Sequence, residues 1–284
     1  MNNLVTRLVT AVVAVPIILG LLYLLPWFAF GSLAGAALVV AALEFFAMSH
    51  PDDRIGRAVG LVLTVALFAA LVATQFGIVH PSATLAATLV ITPIALLVTL
   101  FRAGDQKTAL LRMSALAMGP LYLGVSLAAV VALRRIDTVH GERVGAGLVV
   151  LTLMISWFSD TAGYFVGKNV KGPKLYEAVS PNKTWSGAIG GLFGSAIGAL
   201  FAHFWFLPEL PLVSGLIAAV ACGAVGQAGD LCESLMKRSS GVKDSGGILP
   251  GHGGILDRLD AMMFVAMGLY AALRAGWLTL GIAH

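Results

Sequence analysis

Charged side chains are scarce in this sequence: Asp, Glu, Lys and Arg make up 11% of its 284 residues. A soluble domain contains roughly 25%, and an intrinsically disordered chain depends on high charge and low hydrophobicity. Hydrophobic residues reach 58% here, and Gly contributes 33 more residues. The composition therefore excludes a disordered protein, argues against a soluble globular one, and predicts a protein embedded in a lipid bilayer.

Cysteine is almost absent, because the chain has only Cys222 and Cys232 and no CxxC pair. This pattern supports neither a disulfide framework nor a cysteine-based zinc site. We expect both cysteines to be buried small side chains within apolar sequence.

The excess of positive charge is small, with 18 Lys and Arg against 14 Asp and Glu. These residues lie in short loops between apolar runs, which is typical of membrane topology and not of a DNA-binding face. We therefore expect no nucleic-acid partner.

Long runs without charge define the transmembrane spans, each of which needs about 20 apolar residues. Pro26 divides the first run, residues 8–43, and the stretch from Gly77 to Ser82 divides the run over 58–101. The first span could be a cleaved signal peptide, but its length and the apolar span that follows favour a retained helix. The predicted fold is all-α, a polytopic transmembrane helix bundle of about nine spans. The spans are residues 8–25, 28–49, 58–76, 83–101, 113–133, 144–167, 185–207, 211–230 and 260–282.

Basic residues in the loops indicate the orientation. With a cytoplasmic N-terminus, fourteen Lys and Arg residues lie on the cytoplasmic side and three, Arg134, Arg135 and Arg143, on the other. This distribution follows the positive-inside rule. The two longest polar connections, 168–184 and 231–259, are separated by two spans and share the cytoplasmic face. We therefore predict one active site at that face, built from both loops.

The second of these loops is rich in charge of both signs. Asp257 and Asp260 share one face of a helix that begins near Gly254, and Asp230 and Glu233 end the preceding span. Carboxylates bind hard divalent cations, and Lys and Arg neutralise phosphates, so the mixture indicates a polyanion and a metal. Helix capping by acids in a first turn remains an alternative explanation. The acids and bases of residues 229–260 are Asp230, Glu233, Asp244, Asp257, Asp260, Lys237, Arg238, Lys243 and Arg258.

The glycine-rich run before this turn contains His252, Gly253 and Gly254. Glycines permit positive φ and close backbone approach, and N–H groups at a helix start can bind phosphate. In the other loop, Asp160 lies roughly 10 Å inside a span. A carboxylate at that depth faces a cavity or a partner, and a structural hydrogen bond to a neighbouring helix remains the alternative.

A longer pattern connects these residues. The sequence reads SLMKR at 234–238, KDSG at 243–246 and LPGHGGILDRLD at 249–260. With Asp160, Ser180 and the Lys183-Thr184-Trp185 run upstream, it resembles the CDP-diacylglycerol synthase, or phosphatidate cytidylyltransferase, family over residues 156–265. Two positions depart from the family, because Ser186 replaces a frequent Glu and Ala261 a frequent Ser.

The resemblance implies an enzyme that condenses CTP with phosphatidic acid to give CDP-diacylglycerol and pyrophosphate in phospholipid biosynthesis. It implies Mg²⁺, with room for a second cation, a homodimer, and N-terminal transmembrane helices over 1–135 before a C-terminal catalytic domain over 136–284. Without a long hydrophilic N-terminal extension, we expect a bacterial cytoplasmic membrane.

The resemblance, read with the charge pattern, also suggests a role for each site residue. Asp257, Asp260, Lys237 and Lys243 are the catalytic candidates. Asp230, Asp257 and Asp260 are the metal ligands, and the substrate-binding candidates are Ser180, Lys183, Thr184, Arg238, His252, Gly253, Gly254 and Arg258.

Two other functions compete with this one. Asp160 and Arg274 within spans could mark the ion path of a transporter or channel, although a dense polar loop is not expected there. A lipid or polyprenol kinase would also bring a nucleotide to a lipid at this surface. CTP-dependent labelling of lipid excludes the transporter, and a comparison of ATP with CTP excludes the kinase.

Replacement of Asp257 gives the first test. We expect Asp257→Asn to nearly abolish transfer from CTP, because the neutral amide loses the charge that a metal or phosphate site needs, while the protein stays in the membrane fraction. Radiolabelled CTP and isolated membranes provide the assay. Near-normal activity would refute a role for this carboxylate.

Overall fold

The computed structural model describes residues 15–102, 105–136, 143–248 and 253–280. Their helices run in order through one apolar bundle, interrupted by a π-helical turn and one short β-hairpin. The elements are α1 Val15–Leu24, α2 Trp27–Ser49, α3 Arg54–Gln75, α4 Pro81–Phe101, α5 Gln106–Gly119, the π-helical turn Pro120–Gly124, α6 Val125–Arg134, α7 Arg143–Val170, β1 Lys174–Tyr176, β2 Ser180–Thr184, α8 Trp185–Trp205, α9 Leu212–Ser239 and α10 Leu256–Arg274.

Seven helical stretches are long and apolar enough to cross a membrane, and they match seven of the predicted spans. Within the first predicted span the structure describes the apolar helix α1, Val15–Leu24. Residues 8–14 of that span lie outside the described residues. The last predicted span corresponds to α10, which is not among the seven because charged residues occupy its first turn. The all-α membrane bundle is therefore confirmed, and the count of nine stays a prediction.

One end of the bundle collects the connections that were predicted to share the cytoplasmic face. The guanidinium of Arg102, after α4, lies 2.9 Å from the carboxylate of Asp53, before α3. Lys183 of β2 reaches Asp230 of α9 at 2.5 Å. A cavity of about 950 Å³ lies at the same end, lined by the end of α2, the start of α5 and the last turn of α9. The first predicted loop, through Lys183, therefore reaches the part of α9 from which the second loop continues.

The connections at the other end contact one another through aromatic and backbone groups. Trp27 stacks on Phe76 with ring centroids 3.9 Å apart, and the guanidinium of Arg135 lies 3.9 Å from the same Phe76 ring. Arg134 donates a hydrogen bond to the carbonyl oxygen of Leu25 at 3.3 Å. These contacts tie α1, α2, α3 and α6 together away from the charged end.

Glycine allows α7 and α8 to pack with their backbones close together. A Cβ at Gly194 would overlap the carbonyl oxygen of Phe158 and lie 2.8 Å from the Ala162 side chain. A Cβ at Gly198 would lie 3.2 Å from the carbonyl oxygen of Met154. The glycines of α8 were predicted to serve close packing, as small residues do between membrane helices, and the structure confirms it.

Two local features differ from the sequence prediction. Residues 174–184 form an antiparallel hairpin, with Lys174 opposite Thr184, where only a loop was predicted. The prediction of two buried cysteines is wrong for Cys232, which is exposed, while Cys222 is buried. The reason is helical position: the buried face of α9 runs through Gly226, Gly229 and Glu233, and Cys232, directly before Glu233, points about 100° away from it around the helix.

Packing of α7 on α8 gives a stability test. We expect Gly194→Ala to lower the free energy of unfolding by about 1–3 kcal/mol, because the added methyl group overpacks the interface. The matched control is Gly31→Ala in α2, whose Cβ would meet only Val131 at 3.9 Å; this helical substitution should be neutral or stabilising by up to about 1 kcal/mol. Thermal unfolding in detergent measures both. Equal melting temperatures would contradict the close approach.

Candidate active site at the charged end

Three carboxylates from three helices define the centre of the charged end. Asp160 of α7, Asp230 of α9 and Asp260 of α10 are close enough for Asp260 to be repelled by the other two. The Lys183 ammonium forms an ion pair with the Asp230 carboxylate. The positive charges of Lys183 and Arg258 also attract the Asp160 carboxylate. Repulsion among carboxylates in an apolar setting makes this centre a place where a cation is stabilised.

Lys237 joins α9 to α10 beside this centre. Its ammonium lies 2.6 Å from an oxygen of Glu233 and 2.6 Å from Oδ1 of Asp257. The Glu233 side chain is 0% exposed and that of Lys237 is 13% exposed. A buried carboxylate needs such a partner because the surrounding side chains are apolar. Lys237, predicted as catalytic, is therefore an ion-pair bridge between the two helices in this structure.

Asp257 directs both carboxylate oxygens at protein donors. Oδ1 accepts from Lys237, and Oδ2 accepts from the N–H groups of Ser245 at 3.0 Å and Gly254 at 2.8 Å. Burial raises the pKa of Asp257, but the Lys237 ammonium and these donors outweigh it and hold the pKa at about 2. The carboxylate is therefore ionised at neutral pH and engaged in shaping the loop.

The glycines before α10, which were predicted to bind phosphate, lie against the Asp257 carboxylate in this structure. Gly253 has φ +76°, and a Cβ there would lie 2.8 Å from Oδ2 of Asp257. The N–H of Gly254 already donates to Asp257. Glycine is thus needed for a left-handed turn against a protein carboxylate, and contact of Gly253 and Gly254 with phosphate stays a prediction. His252 lies outside the described residues.

A cavity of about 440 Å³ opens beside Asp160, between α7, the hairpin, α8 and α9. Its polar lining includes Asp160, Lys168, Asn182 and Lys183. Gln227 of α9 closes the inner end by donating to the Ser159 hydroxyl at 3.2 Å and to the Ala188 carbonyl at 3.0 Å. The volume is in the usual range for a small-molecule site.

The remaining predicted residues occupy less central positions. Thr184 lines the cavity but also caps α8, where its hydroxyl accepts from the N–H of Gly187 at 3.1 Å. Ser180 begins β2 opposite Tyr176. Arg238 and Lys243 are exposed at and beyond the end of α9. Phosphate binding by these residues stays a prediction.

Sequence reasoning missed two residues from the N-terminal half. Glu44 of α2 reaches the loop before α10, and the only signal was its position as a lone acid in a predicted span. Tyr122 lies in the π-helical turn, a feature frequent at functional sites. Its buried hydroxyl has no hydrogen-bond partner among the described residues, and it lies near Asp260 and Glu233. Nothing in the sequence around Pro120 indicated the π-helical turn.

The predicted metal set is only partly assembled. Among the described residues, no group of three His, Cys, Asp or Glu stands in an arrangement that could hold a metal ion. Asp230 and Asp260 lie together with Asp160, whereas Asp257 is turned to Lys237 and the loop. Mg²⁺ commonly takes one or two carboxylates and completes its shell with water and substrate phosphate. One or two carboxylates suffice for such a cation, so Asp230 and Asp260 stay candidate ligands, and metal binding here stays a prediction.

The fold and this site define a polytopic helical membrane protein with a mixed-charge centre and an adjoining cavity at one end. The model of the cytidylyltransferase family matches residues 5–275. The chain belongs to this family, as the resemblance implied.

Curated relatives give the same indication. The chain is similar to the phosphatidate cytidylyltransferase of Brucella suis, at 40% identity over 161 residues, which is 54% of this chain and 55% of the relative. The Bacillus subtilis enzyme of that name is 36% identical over 155 residues, 55% of this chain and 56% of the relative. That of Staphylococcus aureus strain COL is 46% identical over 129 residues, covering 43% and 46%. The chain thus spans about half the length of the curated relatives it matches.

The Glu233–Lys237 pair gives a second stability test. We expect Lys237→Met to lower the free energy of unfolding by about 3 kcal/mol or more, because it leaves a buried carboxylate without its cation. The double variant Glu233→Leu/Lys237→Met should recover much of that loss, since Asp257 keeps its two backbone donors. Thermal unfolding in detergent compares the three proteins. A double variant as unstable as the single one would contradict the pairing.

Proposed function

We propose that this protein transfers the cytidylyl group of CTP to phosphatidic acid, giving CDP-diacylglycerol and pyrophosphate. The observation that supports this most is the carboxylate centre of Asp160, Asp230 and Asp260, flanked by Lys183 and Arg258. It adjoins a cavity at the charged end of an apolar bundle, in a chain of the cytidylyltransferase family. A nucleotide from water and a lipid from the bilayer can meet only at such an end.

The reaction requires two anions to approach each other. A phosphate oxygen of phosphatidic acid attacks the α-phosphorus of CTP, the bond from that phosphorus to the bridging oxygen breaks, and pyrophosphate leaves with the electron pair. Phosphatidic acid is ionised near neutral pH, so a strong general base is not needed. Catalysis then depends on positioning and on positive charge where phosphate charge develops.

Each part of the site has a place in this proposal. The 440 Å³ cavity receives the nucleotide, and Lys168 and Lys183 in its lining attract the triphosphate. Arg258, on the first turn of α10, acts electrostatically on Asp160 and would add positive charge for the same phosphates. Asp257 and Lys237 hold α9 and α10 in register. The exposed Lys243 and Arg238 draw the anionic substrates to this face.

Asp230 and Asp260 would hold Mg²⁺, with water and substrate phosphate completing its shell, and Asp160 adds negative charge near them. A bound divalent cation there would neutralise phosphate charge and polarise the P–O bonds. The carboxylates would supply the negative charge that such a cation needs, and Lys183, paired with Asp230 at 2.5 Å, keeps that carboxylate in position.

The positive-inside distribution supports a bacterial cytoplasmic membrane with the site facing the cytoplasm. A homodimer is part of the proposal on the strength of the family resemblance. Cross-linking in native membranes tests this oligomeric state.

Donor specificity tests the function. Purified protein in phosphatidic acid micelles with Mg²⁺ should form CDP-lipid from labelled CTP, and should form no phosphorylated lipid from labelled ATP. Asp230→Asn should lower the rate by roughly 100-fold or more, as expected when a group that stabilises the transition state electrostatically is lost. The matched control is Glu209→Gln, between α8 and α9 at the opposite end of the bundle, which should keep full activity. Transfer from ATP alone, or an active Asp230→Asn variant, would refute the proposal.

A further inference from the structure

We propose that Glu44, in the N-terminal half of the chain, is a positioning residue for the active site. It binds Ser245 and the residues that begin α10, and so determines where the first turn of α10, with Arg258 and Asp260, stands. The inference rests on the proposed function for its kinetic consequence. Its structural part stands on the contacts alone.

Glu44 accepts hydrogen bonds from three donors that are distant in sequence. Its Oε1 accepts from the N–H of Ile255 at 3.1 Å, and its Oε2 accepts from the N–H of Leu256 at 2.9 Å and the hydroxyl of Ser245 at 3.2 Å. Glu44 itself is buried, with only 6% of its surface exposed. Glu44 thus caps the N-terminus of α10 from another helix, where a negative charge is stabilised by the helix dipole.

Glu44 and Asp257 hold the same short segment from two sides. Ser245 donates its N–H to Asp257 and its hydroxyl to Glu44. The successive N–H groups of Gly254, Ile255 and Leu256 are divided between the same two carboxylates. These three donors are therefore satisfied by protein carboxylates, and the position of the helix start depends on where Glu44 lies.

Two glycines beside Ser245 leave the space that the Glu44 carboxylate occupies. A Cβ at Gly246 would overlap Oε1 of Glu44, and a Cβ at Gly254 would lie 2.5 Å from Oε2. Neither glycine has a positive φ, so close approach of Glu44, and not backbone conformation, is what these two positions require. A side chain at either glycine would displace the Glu44 carboxylate from its hydrogen-bond donors.

The link to catalysis is the geometry of α10. Asp260 follows Leu256 by four residues, which is about one helical turn, so a displaced helix start displaces its carboxylate with it. Small misplacements of reacting or charge-stabilising groups cost about 100-fold in rate. Loss of the Glu44 contacts should therefore lower kcat while leaving the nucleotide cavity, which Glu44 does not line, able to bind CTP.

The test compares Glu44→Gln with two other variants. Glu44→Gln keeps the shape but turns an amide N–H₂ toward backbone donors, and we expect kcat to fall 10-fold or more while KM for CTP changes less than 3-fold. Ser245→Ala, which removes one donor only, should give a smaller loss, and the double variant should lose little more than Glu44→Gln. Thr64→Val is the matched control, because it removes a buried hydrogen bond to the Gly60 carbonyl in α3, of 2.7 Å, away from the loop. It should keep kcat even if its melting temperature falls.

Limited proteolysis provides a readout that does not depend on activity. Lys243 is exposed two residues before Ser245, which Glu44 binds. Trypsin should therefore cleave after Lys243 several-fold faster in Glu44→Gln than in the wild type or Thr64→Val. If the wild type transfers no cytidylyl group, the proposed function fails and cleavage alone decides the structural part of the inference. Unchanged cleavage, a kcat equal to that of the wild type, or additive losses in the double variant would overturn the proposal.

Discussion

Carboxylates that leave water for a helical bundle must find donors or cations, because apolar side chains offer neither. The charged end of this protein is organised by that requirement. Glu233 is paired with Lys237, Lys237 also binds Asp257, and Asp257 and Glu44 accept the N–H groups that begin α10. The Glu233–Lys237 pair lies within α9, but Lys237–Asp257 joins α9 to α10 and Glu44 joins α2 to α10. Contacts that make burial tolerable therefore also determine the relative positions of α2, α9 and α10.

The acids near the cavity are arranged differently. Asp160, Asp230 and Asp260 repel one another, and Lys183 and Arg258 offset that repulsion only in part. In the proposed reaction this uneven balance is useful, because a cation and two phosphate-bearing substrates complete the charge pattern. The paired carboxylates thus differ from the crowded ones, although both groups draw members from the end of α9 and the start of α10.

Much of this could be predicted from the sequence. Charge-free runs located seven helices to within a few residues, except where a helix continues past the membrane boundary, as α9 does to Ser239. The spacing of Asp257 and Asp260 placed them on one helix turn, and the parity of the spans brought residues 168–184 and 231–259 to one face. The hairpin at 174–184 was missed because its strands are three and five residues long, too short for a clear alternation of polar and apolar residues.

The sequence by itself determined the membrane bundle, the face that holds the site, and the family, because hydropathy, basic loops and a dense motif are local properties of the chain. Only the tertiary structure decided which carboxylates stand together. Asp160 lies near Asp230 and Asp260, whereas Asp257 binds Lys237. Glu44 accepts a hydrogen bond from the N–H of Leu256, which is 212 residues away in the sequence. Those pairings depend on how helices pack and which donors each buried oxygen can reach, and spacing along the chain does not encode either.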